Sequence, residues 1–334
     1  MTSRSMKIGY KLVAEGFGPQ ELIRQAVRAE QAGFDFVEMS DHFHPWVEAQ
    51  GHSSFVWSVL GAIAAKTTTL GLATGVTCPS VRYHPAIVAQ AAATLALISD
   101  GRFTLGLGSG ERLNEHIVGR GFPGVHERHR MFNEALEIIR LLFEGGYQNY
   151  DGAYLKLEDA RIFDLPAQPP PLAIAVSGPD SIALAAKHGD GLFAVEPDRD
   201  LVTGYHEAGG TGPLYCEAPL AWAPTEEAAV RAAHSTNAWS VTGWKVMAEL
   251  PNPVNFEAAA GTVRQEDIRQ QYACGPDVER HLEVIGQFTD AGFDHIALMN
   301  AGDDPDGFFD FFESELRPRL LAQSTPAPAG RRAP

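Results

Sequence analysis

The stretch LGLATGVTCPSVRYHPAIVAQAAATLALISDGRFTLGLG, residues 70–108, decides the fold. Residues 70–76 are a short apolar run of strand length. Residues 84–99 have the length and apolar density of a helix and open on Pro85, whose fixed φ suits a first helical turn. Residues 102–108 return to a short apolar run. Strand, helix and strand in this order cannot close as a hairpin. The helix carries the chain back across the sheet, so the two strands run parallel.

The alternation continues in both directions. Upstream, 7–11 reads as a strand, and 19–33 as an amphipathic helix with Leu22, Ile23, Ala26, Val27 and Ala29 near one face and Gly33 as its stop. Residues 36–40 read as a strand and 54–66 as a helix. Downstream, 127–144 is a long helix ended by Gly145 and Gly146. Residues 147–170 break the pattern as a hairpin with a proline-rich return. It resumes with a strand at 172–176, a helix at 179–188 and strands at 191–194 and 213–222. Residues 224–270 read as mostly helical, and a helix at 276–291, a strand at 294–299 and a helix at 306–322 close the series. About eight strands separated by helices predict an α/β fold, a closed (β/α)8 TIM barrel, with an open doubly wound sheet as the alternative. One domain is expected over 1–322, with insertions at about 147–170 and 224–270, and a disordered Pro- and Ala-rich tail over 323–334.

Of the 334 residues, 45% are hydrophobic and 20% charged, the balance of a globular core. Lys and Arg number 26 against 42 Asp and Glu, a formal charge of -16. That argues against nucleic acid as a partner and for a small-molecule substrate. Cys78, Cys216 and Cys274 are too few and too scattered for a disulfide framework or a zinc site, and no metal is expected. The N-terminus has no apolar signal core and no run reaches ~18 apolar residues, so no membrane association is expected and a cytoplasmic location is.

In such a barrel the strand C-termini face the active site. Three places there carry chemistry. After the second strand stands Asp41-His42-Phe43-His44-Pro45-Trp46, a polar pair followed by an aromatic and a proline. His42 suits a proton acceptor near neutral pH, or a satisfied rim residue beside a turn capped by Asp41. His42 and His44 make only a weak metal pair. After the fourth strand, residues 106–115 (GLGSGERLNE) have the glycine density for close backbone approach to a ligand, or for a simple turn. GxGxxG would need a glycine where Glu111 stands, and Ser109 is not centred in GxSxG. After 172–176, Ser177-Gly178-Pro179 opens a helix whose amides could hold a phosphate or carboxylate, or form an ordinary βα turn. Thr77 could hydrogen-bond a ligand, and Cys78, before a proline, reads as packed rather than reactive.

Together these segments are specific. Gly9-Tyr10-Lys11 with Glu15, SDHFHPW at 40–46, TCPSVRYHPAIVAQ at 77–90, GRFTLGLGSGERLNEH at 101–116 and SGP at 177–179 resemble the luciferase-like superfamily. Within it they resemble the branch that uses coenzyme F420, which includes glucose-6-phosphate and secondary alcohol dehydrogenases. The resemblance implies a barrel with insertions, a homodimer, and a deazaflavin held without a covalent bond at the strand C-termini. It implies that Asp41, Gly75, Val76, Thr77, Asn114, Ala175, Val176, Ser177, Gly178 and Pro179 bind the cofactor. His42, Trp46, Glu111 and Glu15 would surround the hydride-transfer site, and a non-proline cis peptide would fall at Gly75-Val76.

The implied function is hydride transfer between coenzyme F420 and an alcohol or carbonyl carbon. His42 would take the hydroxyl proton, Glu111 would donate to or stabilise the ring-nitrogen side, and Trp46 would wall the pocket. The sugar-phosphate dehydrogenases hold their phosphate with two lysines and an arginine. Near those places this chain keeps only Arg199, with Arg264 and Arg269 available if their helix turns them inward, so glucose-6-phosphate is not the expected substrate. An FMN-dependent reductase or monooxygenase, and glucose-6-phosphate dehydrogenation itself, are the alternatives.

Overall fold

The computed structural model describes residues 6–324. Eight parallel strands form its centre: β1 (Lys7–Leu12), β2 (Phe36–Met39), β3 (Gly71–Thr74), β4 (Phe103–Leu107), β5 (Leu172–Ala175), β6 (Gly191–Ala194), β7 (Leu214–Ala221) and β8 (His295–Asn300). Each pairs with the next. β8 returns to β1, with Tyr10 opposite Leu298, and β6 pairs β7, with Ala194 opposite Cys216. The sheet is therefore a closed (β/α)8 barrel and not an open doubly wound sheet. A short strand, Ala273–Cys274, adds to the outer end of β7.

The helices form where the sequence places apolar stripes. Helix Pro19–Ala32 buries Leu22, Ala26 and Ala29 against the barrel and ends on Gly33 at φ 85, a left-handed turn that glycine adopts without cost. Helix Pro85–Ile98 opens on its proline, with the His84 ring accepting from the Ala86 amide. Burying each such leucine or phenylalanine is worth about 1.5–3 kcal/mol. The hairpin at Gln148–Asp151 and Lys156–Ala160 is as expected.

Three local differences stand out. Helix Arg199–Glu207 lies between β6 and β7, where no helix is expected from the sequence pattern. Gly204 sits in its middle, and Leu201, Val202 and Tyr205 alone supply the buried face. β3 stops at Thr74, short of the expected 76; the Gly75 amide still donates to the Met39 carbonyl, the Gly75-Val76 peptide is cis, and Thr77 bridges to Leu107. The last helix, from Pro305, contains a π-helical turn at Phe312–Leu316 and runs to Ser324. The disordered tail expected from 323 thus begins too early, since Gln323 and Ser324 continue the helix; residues 325–334 lie outside the described residues.

Inside the barrel Phe36, Ala173, Phe193, Tyr215 and Ala297 make an apolar layer. No helix among the described residues is long and apolar enough to cross a membrane.

Candidate active site

The strand C-termini converge on His42. Its Nδ1 lies 2.6 Å from Glu15 Oε1, in the loop after β1, and its Nε2 lies 3.4 Å from Glu111 Oε1, in the loop after β4. All three side chains are largely buried. Burial disfavours the imidazolium, but the Glu15 carboxylate outweighs it and Glu111 adds to the pull, so the His42 pKa is raised. Burial would also raise Glu15; the facing His42 outweighs it and holds Glu15 below its ordinary value. Glu111 was expected to donate to or stabilise the ring-nitrogen side of the cofactor. Here it shares the imidazole with Glu15.

Asn114 sets Glu111. Its Nδ2 donates to Glu111 Oε1 at 2.6 Å, while its Oδ1 accepts from the amides of Phe43 (2.7 Å) and His44 (3.0 Å). The loops after β2 and β4 are thereby locked together. His44 turns away, its Nδ1 3.0 Å from the Leu113 carbonyl, so no metal pair forms with His42. Among the described residues no group of three or more His, Cys, Asp or Glu could hold a metal ion.

Asp41, in the loop after β2, engages a different set of groups. It accepts from Thr77 Oγ1 (2.8 Å), Arg82 (3.0 Å) and the Tyr83 hydroxyl (3.1 Å), and Arg82 also reaches its carbonyl at 2.5 Å. The Arg82 amide donates to Glu115 at 2.8 Å. Burial outweighs Arg82 here and, with Glu111 adding to it, pushes Glu115 up to about 7. Sequence reasoning quoted Arg82, Tyr83 and Glu115 without giving them a role. An arginine between two candidate loops was the available signal. Cys78 is buried, and burial, with Glu115 nearby, holds its thiol well above the ordinary value, as a packed cysteine should be.

The floor beside His42 is made of small residues. A Cβ at Gly106 would lie 1.8 Å from the Thr74 carbonyl oxygen, and one at Gly108 would lie 2.7 Å from Val76 and 3.4 Å from Ala175. Only glycine lets these strands close, and Gly75, Val76 and Ala175 form a low surface above them. Thr77 is anchored through its amide to Gly106 (2.9 Å). Val176 is buried in the core, its amide on Phe193. The amides of Ser177 and Gly178 donate to Ser181 Oγ at 3.0 and 3.2 Å, so the helix opened by Pro179 engages them itself.

An aromatic wall completes the site. Trp46 meets His42 edge-on at 4.8 Å between ring centres. Trp239 stacks on Trp46 at 4.1 Å and Phe256 meets it at 5.2 Å, with Val47, Leu113 and Met247 packed around them. Trp239 and Phe256 come from 224–270, where no motif marked them. That segment docks on the site loops through the Arg112 amide to Ala248 (2.9 Å) and the Glu48 amide to Glu257 (3.0 Å).

A buried, carboxylate-flanked histidine at the mouth of a parallel barrel, beside a small-residue floor, defines a class of barrel proteins whose chemistry sits on the strand ends. Residues 4–295 match the model of the luciferase-like monooxygenase family, and the chain belongs to that family. It is 35% identical to an F420-dependent glucose-6-phosphate dehydrogenase of Beutenbergia cavernae, over 95% of this chain and 98% of that protein. It is 38% identical to an F420-dependent hydroxymycolic acid dehydrogenase of Mycobacterium tuberculosis, over 95% and 89%. The solved structure of an F420-dependent secondary alcohol dehydrogenase in complex with an F420-acetone adduct superposes with a TM-score of 0.87 at 31% identity, covering 95% of this chain and 99% of that one.

Proposed function

We propose that this protein is an F420-dependent oxidoreductase that transfers a hydride between the deazaflavin and the carbon of an uncharged alcohol or carbonyl compound. The carrying observation is His42, buried between Glu15 and Glu111 beside the low floor of Gly75, Val76, Gly108 and Ala175. Gly106 and Gly108 draw β4 and its loop tightly against Thr74, Val76 and Ala175, and the resulting floor of small residues would suit a flat ring. The names of the relatives support the same cofactor.

Asp41, Gly75, Val76, Thr77, Asn114, Ala175, Ser177, Gly178 and Pro179 would hold the cofactor, with Val176 as core support. When bound, the deazaflavin supplies a two-electron hydride acceptor. His42 Nε2 takes the proton of the substrate hydroxyl. Glu15, on Nδ1, holds the ring and stabilises the imidazolium that forms, and Glu111 receives Nε2 in the charged state. Trp46, Trp239 and Phe256 exclude water and favour an apolar substituent on the carbinol carbon.

Titration with coenzyme F420 and with FMN, followed by fluorescence, tests the reading. F420 is expected to bind at least tenfold (~1.4 kcal/mol) more tightly. Comparable FMN affinity would favour the second reading, an FMN-dependent reductase or monooxygenase, which the family description supports.

We also infer one domain over 1–322, a cytoplasmic location and a homodimer. The dimer reading is supported by helix Pro85–Ile98, which carries no charged residue and leaves Ile87, Leu97 and Ile98 about half exposed. With helix Val56–Lys66 it forms a shallow groove lined by Trp57, Ile87, Ala91 and Ile98.

A further inference from the structure

Below the floor lies a charge cluster that the chemistry above does not use. Lys11 on β1, Glu38 on β2 and Glu217 on β7 face the barrel interior. Lys11 Nζ lies 2.6 Å from Glu217 Oε1 and 3.5 Å from Glu38 Oε1, and it donates to the Gly75 carbonyl oxygen at 2.9 Å. Lys11 and Glu38 are buried, and neither Glu38 oxygen has a hydrogen-bond partner. Burial, outweighing Lys11 and reinforced by Glu217, holds Glu38 well above its ordinary pKa.

Such a cluster is a poor way to stabilise a barrel. Desolvating buried ions costs as much as their attraction returns, and apolar residues of similar volume often serve as well. The layer beneath, Phe36, Phe193 and Tyr215, is aromatic. The neutral group that Lys11 does engage is the Gly75 carbonyl, the first of the floor residues. The cluster abuts that backbone closely: a Cβ at Gly75 would lie 3.3 Å from both Glu38 Cδ and Lys11 Nζ. Thr77 fixes the other end of the same segment, through Gly106 and Asp41.

We propose that Lys11, clamped between Glu217 and Glu38, is a positioning residue: it fixes the Gly75 carbonyl and so sets the Gly75-Val76-Thr77 backbone on which the cofactor ring rests. This builds on the reading that the deazaflavin lies on that floor. The cluster is kept for the shape of the floor and not for the stability of the barrel.

The test compares the wild type with Lys11→Met/Glu38→Leu/Glu217→Leu, which swaps the cluster for apolar side chains, and with Lys11→Arg, which keeps a donor. Calorimetry gives Tm and fluorescence titration gives the Kd for F420 in each. The triple variant is expected to melt at or above the wild-type Tm while its Kd weakens by about tenfold or more, the scale of lost supporting contacts. Lys11→Arg should recover most of that loss. If the triple variant fails to fold, the cluster holds the barrel and the proposal falls. Lys11→Met/Glu217→Gln, which removes both charges and keeps the volumes, supplies a second Kd. Wild-type Kd in a folded variant overturns the proposal while leaving the cofactor reading intact. Absence of F420 binding by the wild type overturns both.

Discussion

Asp41 and His42 are adjacent in sequence and serve different ends. Asp41 engages Thr77, Arg82 and Tyr83, and His42 engages Glu15 and Glu111. His42→Ala is expected to lower turnover by ~10²–10⁴-fold with a much smaller change in F420 affinity, read from steady-state rates and a binding titration. A near-native rate would move the proton to Glu15 or Glu111. The pH profile checks the pairing. Alcohol oxidation needs the neutral imidazole, and the His42 pKa is raised, so its rate should climb as pH passes up through that raised value. Glu15→Gln removes the group that raises it, and the limb should shift to lower pH. An unmoved limb would show that Glu15 does not set the titration. Glu15 came only with the family resemblance, whereas Asp41, His42 and Glu111 were legible in the sequence because each follows an apolar strand. Which carboxylate faces which ring nitrogen was not, since Glu15 and Glu111 are 96 positions apart and meet only when their strands do.

Strands and helices follow from apolar runs and caps, and the expected positions hold within a few residues for all eight barrel strands. Helix Arg199–Glu207 escaped because it is short and interrupted by Gly204, so its face has only three buried residues to signal it. Helix Pro85–Ile98 shows the opposite case: it is apolar on nearly every side, so its sequence marks a helix without saying which face stays outside. The structure leaves Ile87 and Ile98 outward. Replacing both with glutamate should convert a homodimer to monomer in sedimentation or light scattering while secondary structure is retained. A dimer that persists would place the interface elsewhere.

At the scale of the whole molecule, the placement of the cationic side chains supports the uncharged substrate proposed above. Arg199 donates to the carbonyl of Asp290, shortly before β8 begins and so at the end of the barrel away from the site. Arg264 is exposed and paired with Asp267, and Arg269 pairs with Glu226 and Glu266. None is free for a phosphate, and a net charge of -16 adds no general attraction. With saturating F420, turnover of uncharged secondary alcohols should exceed that of glucose-6-phosphate. Efficient use of the sugar phosphate, with Arg264→Ala or Arg269→Ala raising its Michaelis constant steeply, would reverse this. By itself the sequence determined the βα order, the barrel and the strand-end loops that meet at His42, because apolar periodicity and strand-end motifs are local properties. Only the tertiary structure decided that Trp239 and Phe256 stack on Trp46, that Arg82 ties Asp41 to Glu115, and that Lys11 sits under Gly75. Those contacts join residues far apart in the chain, and closure of the barrel brings them within reach.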